Sequence, residues 1–302
     1  MDGVLNINKE AGMTSFEVVS VVKRWLKLKR VGHSGTLDPE ATGVLVVCLG
    51  QATKIIPFLN QEKKEYLAQL KLGIKTSTQD KWGEITESIP RVVVNEAQIK
   101  RVMKAFVGEI EQIPPMYSAL HHQGKRLYKL AREGVEVERR PRQVNIYELV
   151  YLGLSDGPHP EISFRAIVGT GTYLRTLCAD MGDALGAGGH LSSLTRTRVG
   201  PFELSKALSL SQLKEAREAG NITDLIYSMD EALSFLPVVE TTFSEVKLIS
   251  HGRPIEGGRR KAEGGASVLP DSSLVRVHSP TGRLLAVGKV KDALIQPVRV
   301  FV

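Results

Sequence analysis

Six consecutive apolar residues, Val44-Leu45-Val46-Val47-Cys48-Leu49, follow directly on Gly43. Successive side chains of a strand point to opposite faces, so an unbroken apolar run is stable only where both faces are covered. Residues 43–49 therefore predict a buried strand, and the rest of the chain has to supply cover on each side of it. The stretch leading into this strand, "GHSGTLDPEATGVL" (residues 32–45), has glycines at 32, 35 and 43 and sets Asp38 between Leu37 and Pro39. Asp-Pro makes a good turn. It is also a way to hold a carboxylate at the lip of a buried strand, because Pro39 fixes its own φ and biases Asp38 away from helix.

Other periodicities indicate what the layers are. Thr14 and Glu17 have capping-box spacing, and Val18, Val19, Val22, Trp25 and Leu26 repeat at helical intervals, which predicts a helix over about 15–29. Tyr66, Ala68, Leu70 and Leu72 alternate along an expected strand at 65–74. Asn95 and Gln98 cap a helix whose stripe is Ile99, Val102, Met103, Phe106 and Val107. Ile162, Phe164, Ala166 and Val168 alternate as a further strand. Gly169-Thr170-Gly171 then turns the chain into a helix bearing Leu174, Leu177, Cys178, Met181 and Leu185. Strands and helices interleave irregularly and alternating strands outnumber buried runs. The expected class is α+β, with a mixed, mainly antiparallel sheet flanked by helices.

A chain of 302 residues can hold two domains. After about 235 the texture changes: "LPVV" opens a glycine-rich segment, and strands at Leu274–Val277 and Leu284–Val290 flank an "SPTG" turn before a last strand at Pro297–Val302. The expected division is a main domain over 1–235 and a small β-rich domain over 236–302. A basic stretch at 114–142, with Tyr117 and Tyr128 among its charges, is the expected long excursion from the main core.

Charge narrows the choice of partner. A net charge of +7 and a pI of about 9.3 tilt the chain toward polyanions, chiefly nucleic acid. Lys23, Arg24, Lys27, Lys29 and Arg30 fall within eight residues that contain no acid. They lie mostly off the apolar stripe of their helix, as a solvated face or as phosphate contacts. Arg196, Arg198, Arg259, Arg260 and Lys261 form smaller groups. No apolar run approaches the roughly 20 residues of a membrane span, and Met1-Asp2-Gly3-Val4 lacks a signal-peptide pattern, so the expected location is cytoplasmic. Cys48 and Cys178 read as buried thiols, and no CxxC or Cys/His cluster points to a metal.

Four residues invite chemistry. Asp38 is a turn residue or an exposed acid. His33 could be its neighbour, a loop cap or a surface residue. Ser34, His33 and Asp38 supply the types of a triad without a nucleophile-elbow sequence, and Glu40 occupies the place where a phosphatase of the HAD type would have a second aspartate. Arg175 is an ordinary surface arginine or, since it stands in the first turn of its expected helix where the dipole disfavours a cation, one whose cost a nearby acid would offset. Tyr66 is a half-buried strand aromatic or a stacking platform for an extruded base.

These stretches also carry a resemblance. "GVLNINKEAGMTS" (3–15), "VGHSGTLDPEATGVLVVCLGQATK" (31–54), "KEYLAQLKLG" (64–73), "IPPMYSALHHQGKRLYKLAREG" (113–134), "GTYLRTLCADMGDALG" (171–186) and "HLSSLTRTRVGPF" (190–202) follow one another in the order seen in bacterial tRNA pseudouridine synthases of the TruB type. The resemblance covers roughly residues 3–235, and the tail resembles the small β-barrel PUA domain of that family with weaker motif support. It implies isomerisation of uridine 55, in the T loop of tRNA, to pseudouridine without metal or organic cofactor. It implies a catalytic aspartate at Asp38, an active-site tyrosine at Tyr66 and an arginine at Arg175. His33 falls near the flipped nucleotide, and Tyr173 and Leu194 line the base pocket. Lys23, Arg24 and Lys27, the 114–142 excursion and the tail are expected to hold the T arm and acceptor stem. The implied enzyme is a monomer that needs no guide RNA and no membrane. One departure is visible: Lys9-Glu10 stands where the family usually has Lys-Pro. Two alternatives compete, a non-catalytic RNA-binding module and an enzyme guided by a small RNA. The first would be expected to lose Asp38, Tyr66 or Arg175, and the second tends to have different flanking segments.

Overall fold

The computed structural model describes residues 1–118, 120–122, 124–257 and 269–301; the basic group Arg259, Arg260 and Lys261 lies outside them. In chain order the strands are β1 (Gly3–Lys9), β2 (Val31–Ser34), β3 (Thr42–Leu49), β4 (Lys64–Leu72), β5 (Ile74–Thr76), β6 (Ile85–Ser88), β7 (Gly108–Gln112), β8 (His121–His122), β9 (Lys125–Arg126), β10 (Arg142–Leu154), β11 (Glu161–Val168), β12 (Gly189–Val199), β13 (Phe202–Glu203), β14 (Val238–Glu240), β15 (Ile255–Glu256), β16 (Leu274–His278), β17 (Leu284–Lys291) and β18 (Leu294–Val300). The helices are α1 (Ser15–Trp25), α2 (Ile56–Leu59), α3 (Glu96–Ala105), α4 (Leu127–Arg132), α5 (Leu174–Ala184), α6 (Leu210–Glu218), α7 (Met229–Ala232) and α8 (Phe243–Ser250).

The apolar run is buried on both faces, and by different partners. Leu45, Val47 and Leu49 of β3 join Val18, Val19 and Val22 of α1 and Leu213 of α6 in one cluster. Val44, Val46 and Cys48 face a second cluster with Phe58, Leu59, Val199 and Phe202. Each fully buried aliphatic side chain contributes roughly 1.5–3 kcal/mol, so this strand anchors the loop before it more firmly than any polar contact could.

The main sheet runs β1-β3-β12-β4-β11-β10-β7, with β2 paired to β3 and β13 to β12. Its pairs are antiparallel except for β3 with β12, which meet in parallel at Thr42–Thr195 and Gly43–Arg196. Gly43 is required at this junction: φ is +100°, and a Cβ would lie 2.2 Å from the Arg196 carbonyl oxygen. Helices α3 and α5 cover one face of β4 and β11, through Ile99, Met103, Leu177, Cys178 and Met181 against Ala68, Leu70, Phe164 and Ala166. The α+β expectation with a mixed, mainly antiparallel sheet thus holds.

A second sheet, ordered β14-β16-β17-β18-β15, forms a half-barrel with its own apolar cluster. Val287 of this sheet belongs to the same cluster as Val44 and Phe58. Asp230 Oδ1 accepts from Arg276 Nη1 at 2.9 Å and lies 2.7 Å from His278 Nε2. The segment 113–141 leaves β7 and returns to β10, and these strands are paired at Gln112–Arg142. Its two ends are therefore neighbours on one edge of the sheet.

Several boundaries depart from the sequence reading. Helix α1 ends at Trp25, not near 29. Lys27 sits at φ 52°, and the Leu28 and Lys27 amides donate back to the Lys23 and Arg24 carbonyls, a left-handed cap that unwinds the chain in spite of its side chain. The last strand starts at Leu294, with Pro297 inside it. Proline is tolerated there because β15 pairs with β18 at Leu294 and Ile295 and not at residue 297.

Candidate active site

Asp38 lies in the loop between β2 and β3, and four separate groups fix that loop. Ser15, first residue of α1, accepts from the Leu37 amide at 2.9 Å and donates to the Leu37 carbonyl at 3.1 Å. Lys9, wholly buried at the end of β1, donates through Nζ to the carbonyls of Glu10, Met13 and Pro39 at 2.9, 2.6 and 2.7 Å. Burial pushes the Lys9 ammonium down to about 8, against the opposing pull of Glu40 and Asp38. The turn at Glu10, which lacks the expected proline, is thus tied through Lys9 to the residue that follows Asp38. Arg196, also fully buried, donates from Nε to the Val44 carbonyl at 2.7 Å and from Nη2 to the Gly35 carbonyl at 3.0 Å. It spans the two ends of the loop.

The fourth group touches the acid itself. Arg175 Nε lies 3.0 Å from Asp38 Oδ2, and Nη2 donates to Oδ1 at 3.3 Å. The rest of the guanidinium is occupied as well: Nη1 donates to the Thr78 carbonyl at 3.1 Å and lies 3.7 Å from Asp80 Oδ2, and Nη2 donates to the Tyr117 carbonyl at 2.7 Å. A cation in the first turn of α5 meets two carboxylates and two carbonyls, which offsets the unfavourable dipole. Asp80 is held in turn by Thr78 Oγ1 at 2.6 Å and by the Trp82 amide at 3.0 Å.

The Arg175 side chain is 5% exposed and that of Asp38 is 42% exposed. Asp38 is thus crowded by protein and still reachable from outside. Loss of water raises its pKa above the ordinary carboxylate value; Arg175 opposes this rise and Asp80 adds to it. A pair this open contributes little to stability. What the arrangement provides is an oriented, reachable carboxylate.

The remaining expected residues are placed unevenly. Tyr66 on β4 is 7% exposed and shares an apolar cluster with Leu37, Ala41 and Leu174, and Leu194 of β12 packs against that cluster. Tyr173 precedes α5, its amide and carbonyl both bonded to the Gln112 side chain at 3.0 and 3.3 Å. Among the described residues His33 Nδ1, on β2, is buried with no side-chain partner, and burial together with the Arg196 charge lowers the ring's pKa, against an opposing backbone contribution from Gly35. Lys23, Arg24 and Lys27 are exposed, at or just past the last turn of α1. That end lies ~12 Å along the helix from Ser15, so these residues do not meet Asp38. Sequence reasoning missed Asp80 and the clamping parts of Lys9 and Arg196. Asp80 meets Arg175, Arg196 meets Gly35 and Val44, and Lys9 meets Pro39 across long sequence separations that no spacing marks.

Among the described residues no group of three His, Cys, Asp or Glu side chains converges as a metal site would. No described helix is long and apolar enough to cross a membrane.

Known proteins share this framework. The family described as "TruB family pseudouridylate synthase (N terminal domain)" matches residues 23–174, and "tRNA pseudouridylate synthase B C-terminal domain" matches 175–234. A protein of Syntrophomonas wolfei named tRNA pseudouridine synthase B is 44% identical over 307 residues, spanning 100% of this chain and 99% of the relative. One of the same name from Clostridium kluyveri is 40% identical over 302 residues, spanning 100% of both. Among solved structures, a chain of a Cbf5-Nop10-Gar1 complex superposes with a TM-score of 0.77 at 31% identity, over 99% of this chain and 85% of that one. A chain of an H/ACA RNP bound to a substrate RNA containing 2'-deoxyuridine superposes with a TM-score of 0.75 at 29% identity, over 99% and 85%. The chain belongs to the TruB family of pseudouridylate synthases, and its activity class is that of an isomerase.

Proposed function

We propose that this protein converts uridine 55 in the T loop of tRNA to pseudouridine, with Asp38 as the central group. The observation that carries this reading is the Asp38–Arg175 pair, with two contacts at 3.0 and 3.3 Å around a carboxylate still 42% exposed. The glycosidic bond to uracil N1 must break and the base rejoin through C5. A base stacked in a folded loop has no room for this, so the uridine is extruded into the protein. Asp38 then acts as nucleophile at C1′ or C6, or as base at C2′. All three demand the ionised form, which Arg175 favours and orients.

Tyr66 stacks on the uracil, and Tyr173 and Leu194 wall the pocket. Because Tyr66 is 7% exposed, a uracil reaching it displaces part of the cluster that covers it. A phenol near pKa 10 is a poor base unaided, so stacking is its main part. His33 sits near the extruded nucleotide. Lys23, Arg24, Lys27, the 114–142 excursion and the second sheet take the phosphates of the T arm and acceptor stem. In this reading the catalytic unit spans 1–235 and a PUA-like RNA-binding unit 236–302, which the drawing of the main sheet from residues 3–203 and the second from 238–300 supports. The enzyme works in the cytoplasm as a monomer, without cofactor or guide RNA. The test is tritium release from C5-labelled tRNA transcripts: release from a transcript with the T-loop uridine and none when that uridine alone is replaced. Equal release from both would reject the site assignment.

A further inference from the structure

Two exposed aromatic rings stand on segments that hold Asp38. Phe16 is 74% exposed in the first turn of α1, next to the Ser15 hydroxyl that fixes Leu37. Trp82 is 60% exposed on the turn between β5 and β6, and its own amide donates to Asp80, the second carboxylate on Arg175. Singly exposed apolar side chains are ordinary, so exposure alone carries nothing. Anchorage and charge distinguish Trp82. Its turn is tied by Thr76 Oγ1 to the Asp80 carbonyl at 2.6 Å, by the Glu84 amide to Ser77 Oγ at 3.1 Å, and by the Lys81 amide to the Leu191 carbonyl of β12 at 3.1 Å. A Cβ on Gly83 would come within 2.4 Å of Thr78 Oγ1, so the turn closes this tightly only around glycine. A platform fixed in advance loses little freedom on binding. The Lys81 ammonium lies 4.8 Å from the indole centroid, which joins a flat apolar face to a positive charge. An unpaired nucleotide calls for that combination: a face for the base and a cation for the phosphate.

We propose that Trp82 is a stacking platform for an unpaired base that neighbours the extruded uridine, with Lys81 on an adjoining phosphate. Extrusion strips each neighbour of one stacking face, and an aromatic ring on the protein replaces it. The proposal rests on the RNA-modifying reading of the site and extends it to residues outside the base pocket.

Trp25 and Trp82 are the two tryptophans of the chain, so in a W25F variant the emission comes from Trp82 alone. This variant is titrated with a tRNA transcript and with a fully paired duplex RNA of equal length. The transcript is expected to quench the emission to saturation, whereas the duplex, which offers phosphates without unpaired bases, leaves it unchanged. In the otherwise unaltered protein, W82A is expected to raise KM for the transcript about tenfold with little change in kcat, and W82F to recover most of the loss. Efficient turnover with unchanged Trp82 emission, equal quenching by the duplex, or a defect confined to kcat would each overturn the platform while the RNA reading stands. Absence of binding and turnover with every RNA would overturn both.

Discussion

Two buried arginines serve the same loop in different ways. Arg196 is fully buried and, among the described residues, meets the Gly35 and Val44 carbonyls and no carboxylate. Arg175 is 4% exposed and meets Asp38, Asp80 and the carbonyls of residues 78 and 117. One fixes the stem of the loop, and the other fixes the charge at its tip. Holding a backbone takes only donors in place. Holding an ionised acid open to a substrate takes a countercharge, and a second acid keeps that countercharge from being spent on one partner. In the proposed reaction the stem serves stability and the tip serves rate, and variants can pull the two apart.

The largest effect is expected at the tip. D38N should reduce pseudouridine formation below about one per cent while leaving tRNA affinity intact. The folded-state pKa of Asp38 lies above its ordinary value, so its share of stability is present at low pH and lost as pH rises through that value. D38N should therefore melt no lower than the parent at neutral pH; a large fall in Tm would make Asp38 a structural residue. Next, R175A should lower kcat by on the order of 10²-fold with a smaller change in KM, since a misplaced reacting group costs about that much. A defect in binding alone would move Arg175 to the phosphates.

A control outside both regions comes third. Replacing Lys23, Arg24 and Lys27 by alanine should reduce the slope of log affinity against log salt by about 2 if these residues hold phosphates. An unchanged slope would leave that end of α1 as a solvated surface. Fourth, R196M should act on the stem: two carbonyls lose their donors, at about 1–3 kcal/mol for each buried group left unpaired, read by urea denaturation. Unaltered stability with a lost rate would erase the distinction between the arginines. The smallest effect is a shift in pH profile. Asp80 raises the Asp38 pKa, so D80N should move the acid limb of kcat/KM to lower pH; movement upward would contradict the sign.

Much of the fold was legible because local chemistry and tertiary context agree. The capping pairs Thr14–Glu17 and Asn95–Gln98 both form as their spacing indicates. The apolar run of β3 is a strand with two covered faces. Strands β10 and β12 escaped notice for a common reason. Each carries two register shifts, at Ile146/Glu148 and Tyr151/Gly153 in one and at Leu191/Ser193 and Arg196/Arg198 in the other. Every bulge inverts the alternation that marks a strand. In the site, the position of Arg175 asked for an acid, and the structure supplies Asp38 and Asp80. Asp80 itself could not be read, because its tie to Arg175 crosses from the β5–β6 turn to the start of α5.

The closing pair Gln112–Arg142 leaves the length of the segment between them independent of the sheet's register. When both ends of an insertion leave from adjacent positions, lengthening it shifts nothing in the sheet, and doubling its length costs only about 0.6 kcal/mol in loop closure. The length and charge of this arm can thus change without disturbing the strands at its base. The freedom is bounded at one end. The Tyr117 carbonyl accepts from Arg175 at 2.7 Å, so insertions before that residue disturb the Asp38–Arg175 pair and insertions well beyond it do not.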